Sequence, residues 1–361
     1  MNRRWGRLAG LAAALVSAAC EAPIPDFEGR SGEHVVYSWQ SGLTPCAGNV
    51  AALEAFVVHV SSQLDLAVPA SIEYVWLTRE EFEGWLPQWK VTRAGIASGR
   101  RCFAIAPLLL HEVVHTVDDL GGERTFFVEG LANAFALPLS SGPRYPIRDP
   151  RPYLTANYVS STDEVHGIYA YGAGFVAYLL SRRGVARFTE FYGRLGGAAS
   201  EAKIRRVFAE VYGLDFDVEV DTYLEDPSCP DDAIEVPQPF ACAAPTIPWS
   251  DPDAWVDARI LECGDEAVSG GFGGELGGVV GRVSVEIPSD GEYWVTRLGD
   301  TGGSVRLGPC GPCPWLAEDV AVEATPLRVT LRAGLYAAEY GAARVDALVG
   351  LSILRIREDG P

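Results

Sequence analysis

The sequence predicts an α+β protein, in which a small mixed sheet lined by helices is followed by a β-sandwich-like domain. Three observations carry that reading. Strand-like and helix-like patterns alternate between residues 34 and 119 and further helical patterns run on to 212, a proline- and acid-rich stretch covers 229–249, and short apolar runs broken by glycine follow residue 254. The resulting division is an export signal at 1–20, a tether at 21–33, a first domain at 34–226, a linker at 227–250 and a second domain at 251–361.

The elements follow in order. Val35, Val36 and Tyr37 favour an extended backbone over 34–39. Residues 47–64 are apolar at helical spacing, and 72–77 form a second strand rich in β-branched and aromatic residues. Thr78 with Glu81 three residues later marks a helix start. A short strand at 103–106 feeds Pro107, a residue well tolerated in a first helical turn. Helices are expected at 108–119, ended by Gly121-Gly122, and at 126–137, ended by Pro138. A polar loop over 139–164 then leads to helices at 171–183, 185–195 and 200–212. Strands at 279–287, 292–298, 327–331, 334–340 and 348–356 make up the sandwich, with Val283, Val285 and Ile287 alternating as in a half-buried strand. Residues 270–281 read as a glycine-rich turn; they lack the Gly-Lys ending of a phosphate-binding loop.

Composition narrows the function. With 361 residues, 48% hydrophobic, the chain can bury more than one core. A formal charge of −19 argues against nucleic acid as the main partner, since a polyanion is repelled. Arg3, Arg4 and Arg7 precede an apolar run over 8–16 that is too short to span a bilayer, and Ser17-Ala18-Ala19-Cys20 follows. This pattern predicts export. A cut before Cys20 resembles bacterial lipoprotein processing and implies a lipid anchor at Cys20 in the cell envelope. A cut by an ordinary signal peptidase around 17–19 is the alternative, giving a periplasmic or extracellular protein.

Seven cysteines remain beyond Cys20, so one is left over if the rest pair. Grouping by domain suggests Cys46 with Cys102 and Cys229 with Cys242, without fixing connectivity. Cys310-Gly311-Pro312-Cys313 has the letters of a thioredoxin redox site, but prolines crowd it within β-rich sequence. A structural clip involving Cys263 is the preferred reading.

The chemistry is concentrated in His111-Glu112-Val113-Val114-His115. A spacing of four puts both imidazoles on one helical face, and Glu112 stands beside them. Catalytic zinc takes three protein ligands and keeps one position open, so a third ligand is needed. Glu129, opening Glu129-Gly130-Leu131-Ala132-Asn133 on the next helix, can supply it.

Together these residues resemble the gluzincin metallopeptidases, in which an HExxH helix precedes a helix carrying a glutamate ligand in an E-G-x-A pattern. The resemblance spans about residues 72–195 and also takes in the helix beginning Tyr171-Gly172-Ala173-Gly174-Phe175. It implies a zincin-like metallopeptidase domain in which Zn2+ is held by His111, His115 and Glu129. Glu112 would be the general base on a zinc-bound water, and Asn133 would support a ligand histidine, where aspartate is common. The spacing from His115 to Glu129 is shorter than in the thermolysin-like members. For the oxyanion donor, Tyr169, Tyr171 and His166 are candidates. Tyr171 is preferred, with His166 on a loop as a second donor or substrate contact. His34 and His59 read as structural, Asp118 and Asp119 as helix-end residues, and Trp76, Trp85 and Trp89 as packing or one cleft wall. The implied activity is hydrolysis of peptide or protein substrates, aligned along an edge strand at 103–106. The alternative is an inactive zincin-fold envelope lipoprotein serving as a binding or scaffold protein.

Overall fold

A computed structural model describes residues 27–85, 94–118, 125–136, 142–143, 146–156, 162–196, 199–225, 237–238, 240–311 and 318–356. The expected signal, Cys20, Trp89, Asp119, Cys229, Cys313 and most of the expected linker lie outside these residues. No described helix is long and apolar enough to cross a membrane.

In the first domain, β1 (Glu28–Ser31), β2 (Val35–Trp39), β4 (Ile72–Trp76), β5 (Gly95–Ser98) and β6 (Arg101–Ala104) form a sheet ordered β1-β2-β4-β6-β5. The central pairs β2–β4 and β4–β6 are parallel, whereas β1 and β5 run antiparallel to their neighbours, so the sheet is mixed. Alternation in Val-Val-Tyr-Ser-Trp sends Val35, Tyr37 and Trp39 inward. Helix α1 (Asn49–Gln63) covers that face with Leu53, Phe56, Val57 and Val60. The short α2 (Arg79–Trp85) starts at Thr78, whose Oγ1 accepts the Glu81 amide at 3.4 Å, the expected cap.

Five further helices complete this half. They are α3 (Leu110–Val117), α4 (Thr125–Ala136), α5 (Thr162–Arg183), α6 (Val185–Leu195) and α7 (Glu201–Tyr212). A sixth, α8 (Phe216–Glu225), lies where the helical pattern was expected to have ended; Phe216, Val220 and Tyr223 join the same core. Helix α5 begins nine residues before the expected start at 171. Gly167 and its polar neighbours masked the pattern, but Gly167 packs on the Tyr153 ring, where an added Cβ would come within 2.3 Å.

The second half is a two-sheet sandwich. One sheet orders β14 (Leu327–Leu331), β11 (Gly291–Gly299), β16 (Ala347–Arg355) and β8 (Ala254–Leu261). The other contains β9 (Val268–Phe272), β10 (Gly278–Ile287), β15 (Gly334–Ala342), β12 (Gly303–Pro309) and β13 (Glu318–Val322). Inward rows such as Val283, Val285 and Ile287 meet Val349, Leu351 and Ile353 in one core. Strands β8, β9, β12 and β13 were not foreseen, because glycines and charged residues break their alternation. What reads as a turn at 270–281 is largely the β9–β10 hairpin, with only 273–277 between its strands.

The two halves are stitched together. Strand β3 (Thr44–Pro45) leaves the first domain to pair with β9, and β7 (Gly142–Pro143) pairs with β13, so each end of the larger sheet is finished by the first domain. Disulfides follow this stitching and correct the expected pairings. Cys46 bonds Cys263 rather than Cys102, which is buried and free in β6. Cys242 bonds Cys310 rather than Cys229, so Cys263 is not the partner of the Cys310–Cys313 motif. The cause is β3: its pairing with β9, together with the Ala47 amide on the Cys263 carbonyl at 2.8 Å, carries Cys46 out of its own domain. Cys242 pins the linker, and nearby Phe240 packs edge-on against Phe56 of α1.

The Cys46–Cys263 bond closes a sequence separation of 217 residues. A Cys46→Ala/Cys263→Ala variant is therefore expected to lose about 3 to 5 kcal/mol of unfolding free energy. Denaturant titration of the oxidised proteins measures this, and a loss near zero would show that β3 docking stands without the bond.

Candidate metal centre

Helix α3 springs from a strap, residues 105–109, between β6 and Leu110. Its start is fixed by Tyr74 of β4, whose Oη accepts the Leu109 amide at 2.7 Å. Its far end is fixed by Arg100, from the β5–β6 turn, whose guanidinium donates to the carbonyls of Thr116 and Val117. Between them Val113, Val114 and Val117 sink into the core. That anchoring leaves His111, Glu112 and His115 partly buried on the other side.

Helix α4 brings the third group. Glu129 is 3% exposed, which is tolerable for a carboxylate only if cations or strong donors meet it. Its Oε2 lies 2.8 Å from His111 Nε2 and 3.5 Å from His115 Nε2, and the two Nε2 atoms are 3.2 Å apart. Ligand atoms about 2.1 Å from a tetrahedral zinc sit about 3.4 Å from one another. The three observed separations bracket that value, and two imidazoles with a carboxylate are a donor set that zinc accepts. His111, His115 and Glu129 together are one group able to hold a metal ion.

Electrostatics agree with the geometry. Burial alone would raise the Glu129 carboxyl, but hydrogen bonds from His111 and His115 outweigh it and hold the group down at about 2. For His111 burial opposes the charged ring, yet Glu129, Glu112 and Asn133 raise its pKa overall.

Asn133, one turn beyond Glu129, fixes the His111 tautomer. Its Nδ2 donates to the Tyr169 carbonyl at 3.1 Å, which leaves Oδ1 facing His111 Nδ1 at 2.7 Å. An acceptor there requires a proton on Nδ1, so Nε2 is left to face the cluster: it donates to Glu129 while the ring is protonated and offers a lone pair to a metal once that proton leaves. The glycines of both motif helices have a packing role. A Cβ on Gly130 would come within 2.7 Å of the Gly172 backbone, and one on Gly172 within 2.9 Å of the Phe126 carbonyl. Only glycine at both positions lets α4 and α5 cross this closely.

The crossing also sets where the two candidate tyrosines lie. The Tyr169 ring lies 5.5 Å from that of His111. Tyr171, two residues and so about 200° further around the helix, packs instead against Tyr153 at 5.2 Å. His166 lies within α5 rather than on a loop, and its side chain is outside the described residues. Asp118 closes α3 and accepts the Tyr192 hydroxyl at 2.7 Å. His34 and His59 bond the carbonyls of Pro69 and Gln238, as structural histidines do. Trp76 is fully buried and donates to the Ile105 carbonyl at 3.2 Å.

Sequence reasoning passed over Arg100, Tyr74 and Gly95. Gly95 opens the edge strand β5, and a Cβ there would lie 2.8 Å from Glu112 Cγ and 2.5 Å from Leu109 Cδ2. Nothing local marks these residues; only sheet register brings them to α3. The edge itself is also corrected. Phe103 lies in β6, between β4 and β5, and the described residues place no strand beyond β5.

A mixed sheet with His111, His115 and Glu129 on successive helices is consistent with a zincin-like metalloprotein. No family model and no curated protein matches the chain. Among solved structures, 31% of it aligns with 92% of the pre-peptidase carboxy-terminal domain of collagenase from Bacillus anthracis, at 10% identity and a TM-score of 0.17. A likeness at that score assigns neither fold nor activity.

Replacing His115 with alanine is expected to abolish stoichiometric zinc binding, and Asn133→Ala to weaken it by about ten- to a hundredfold. Chelator competition reads both. Unchanged affinity in the His115 variant would remove the metal centre.

Proposed function

We propose that this protein is an exported zinc metallopeptidase that hydrolyses peptide bonds in extended peptide or protein segments. The observation that supports it best is Glu112, a carboxylate adjacent to the ligand pair and seated against the first residue of an edge strand. A site serving only to hold structure would fill all four metal positions and have no need of a neighbouring base. When bound by His111, His115 and Glu129, zinc supplies a Lewis acid that polarises a carbonyl and acidifies water.

The chain's own residues do the rest. Glu112 takes the proton of the attacking water and passes it to the departing amine. Val113 and Val114 on the buried side of α3 keep that carboxylate in register, where a shift of about an ångström can cost about a hundredfold. Strand β5 offers its backbone to an extended substrate by antiparallel pairing, so the scissile bond lies alongside Glu112. Tyr169 stands on the His111 side of the site and is better placed than Tyr171 to donate to a developing oxyanion. Export with lipid attachment at Cys20 is part of the same proposal, placing the activity at the envelope.

Glu112→Gln is expected to retain zinc while peptide hydrolysis falls by at least about a hundredfold. Gly95→Ala should also retain zinc and lose about tenfold in kcat, because the added methyl displaces Glu112. Turnover that survives Glu112→Gln would mean that another group performs the chemistry. For the anchor, Cys20→Ser should move the protein from the membrane fraction to the soluble one; an unchanged distribution means that no lipid is attached there.

A further inference from the structure

Three consecutive backbone carbonyls precede α3, and each is held by a different aromatic donor. Trp76 Nε1 reaches the Ile105 oxygen at 3.2 Å, Tyr74 Oη the Ala106 oxygen at 2.8 Å, and Tyr37 Oη the Pro107 oxygen at 3.1 Å. All three aromatic side chains are 1% exposed or less. The strap has no repetitive structure of its own, so these bonds set the position and direction from which the metal-site helix departs.

Two of the three donors are themselves set by the sandwich. Asn49, 1% exposed at the start of α1, forms a paired contact with Gly270 of β9. Its Nδ2 donates to the Gly270 oxygen at 2.8 Å, and its Oδ1 accepts the Gly270 amide at 2.7 Å. The same Nδ2 donates to Tyr37 Oη at 3.0 Å, which directs the phenol proton onward to Pro107. Gly270 has a φ of +122°, and a Cβ there would meet the Gly278 carbonyl at 2.0 Å, so glycine is required. By the second route Gly271 and Gly274 lie against the Trp76 indole, at 2.7 Å and 3.2 Å from a Cβ built on each.

We propose that the β9–β10 hairpin of the sandwich is an internal buttress of the metal centre, with Asn49, Tyr37 and Trp76 as positioning residues that carry it to the strap. The inference rests on the peptidase reading for its effect on turnover, but not for its effect on the helix. The second domain is thereby part of the catalytic scaffold, and Gly270 belongs to the site although it is 159 residues along the chain from His111. Tyr37 is the element most open to test, since phenylalanine keeps the ring, its stacking on Tyr74 at 5.4 Å and its volume.

The experiment uses the full oxidised chain as wild type, Tyr37→Phe, Asn49→Ala and Val349→Ala. The last removes two methyls from the sandwich core and serves as a stability control. Hydrogen exchange of the amides at 105–112, zinc affinity by chelator competition, and kcat and KM on a peptide that the wild type cleaves are measured for each. In Tyr37→Phe and Asn49→Ala, exchange is expected to rise about tenfold, zinc to bind about three- to tenfold more weakly, and kcat to fall about tenfold with KM within about twofold. Val349→Ala should match the wild type in exchange at 105–112 and in zinc affinity even where its melting temperature falls as far. If the relay variants behave like the control, the buttress is overturned. A wild type that cleaves no peptide would count against the peptidase reading alone, because exchange and zinc affinity still decide the buttress.

Discussion

A carboxylate buried to 3% exposure between two imidazoles is the constraint on which the site depends. Glu129 cannot be left in that position uncompensated, because desolvating a single ionised carboxyl costs several kcal/mol. Hydrogen bonds from His111 and His115 hold it as an anion, with its pKa down at about 2. Those bonds require α3 and α4 to approach in one register, with the spacing of four between the histidines turned toward Glu129. The rest of the first domain can be read as the means of holding that register: Tyr74 and Arg100 fix the two ends of α3, and Gly130 with Gly172 sets the depth of α4 on α5.

The second constraint is that α3 is short, spanning Leu110–Val117, and is preceded by irregular backbone. A helix of two turns gains little from its own hydrogen bonds, so its direction is set by what it is packed on and by what it hangs from. Below, three valines pack into the core. Above, the carbonyls of 105–107 are fixed by side chains from β2 and β4, and through Asn49 and Trp76 by the sandwich. The domain boundary drawn from composition therefore divides the sequence more sharply than the forces do. Strand β3, the Cys46–Cys263 bond and the Gly270 contact all cross it.

What the sequence made legible follows from the range of the interactions. The α+β class, the helices at 49–63, 110–117, 125–136, 185–195 and 201–212, and the convergence of His111, His115 and Glu129 are set by periodicity over a few residues and one short inter-helix link. Pairings between distant segments were not legible. Cys46 and Cys102 share a domain, and nothing in their neighbourhood reveals that β3 crosses to β9. Strands β8 and β9 hide for another reason: Asp257 and Arg259 pair with each other on the inward side of β8, and three of the five β9 residues are Ser269, Gly270 and Gly271. Their alternation is broken by polar or glycine positions that tertiary contacts require. The sequence pattern of α5 starts at Tyr171, whereas the helix begins at Thr162 and brings the Tyr169 ring to 5.5 Å from that of His111.

Asn133 shows how far such constraints propagate. Its amide has two unlike ends, and the Tyr169 carbonyl of α5 admits only the nitrogen. The oxygen is then committed to His111 Nδ1, and the proton on that nitrogen leaves Nε2 as the one that can shed its proton and offer a lone pair. One backbone carbonyl on α5 thus determines, through α4, which nitrogen on α3 can face a metal. An aspartate at 133 would accept from His111 equally well, but it would meet the Tyr169 carbonyl with a second acceptor and leave both without a proton between them. With asparagine, the close crossing of α4 and α5 and the tautomer of the ligand become one requirement, and the Gly130–Gly172 contact that sets the crossing sets the ligand as well.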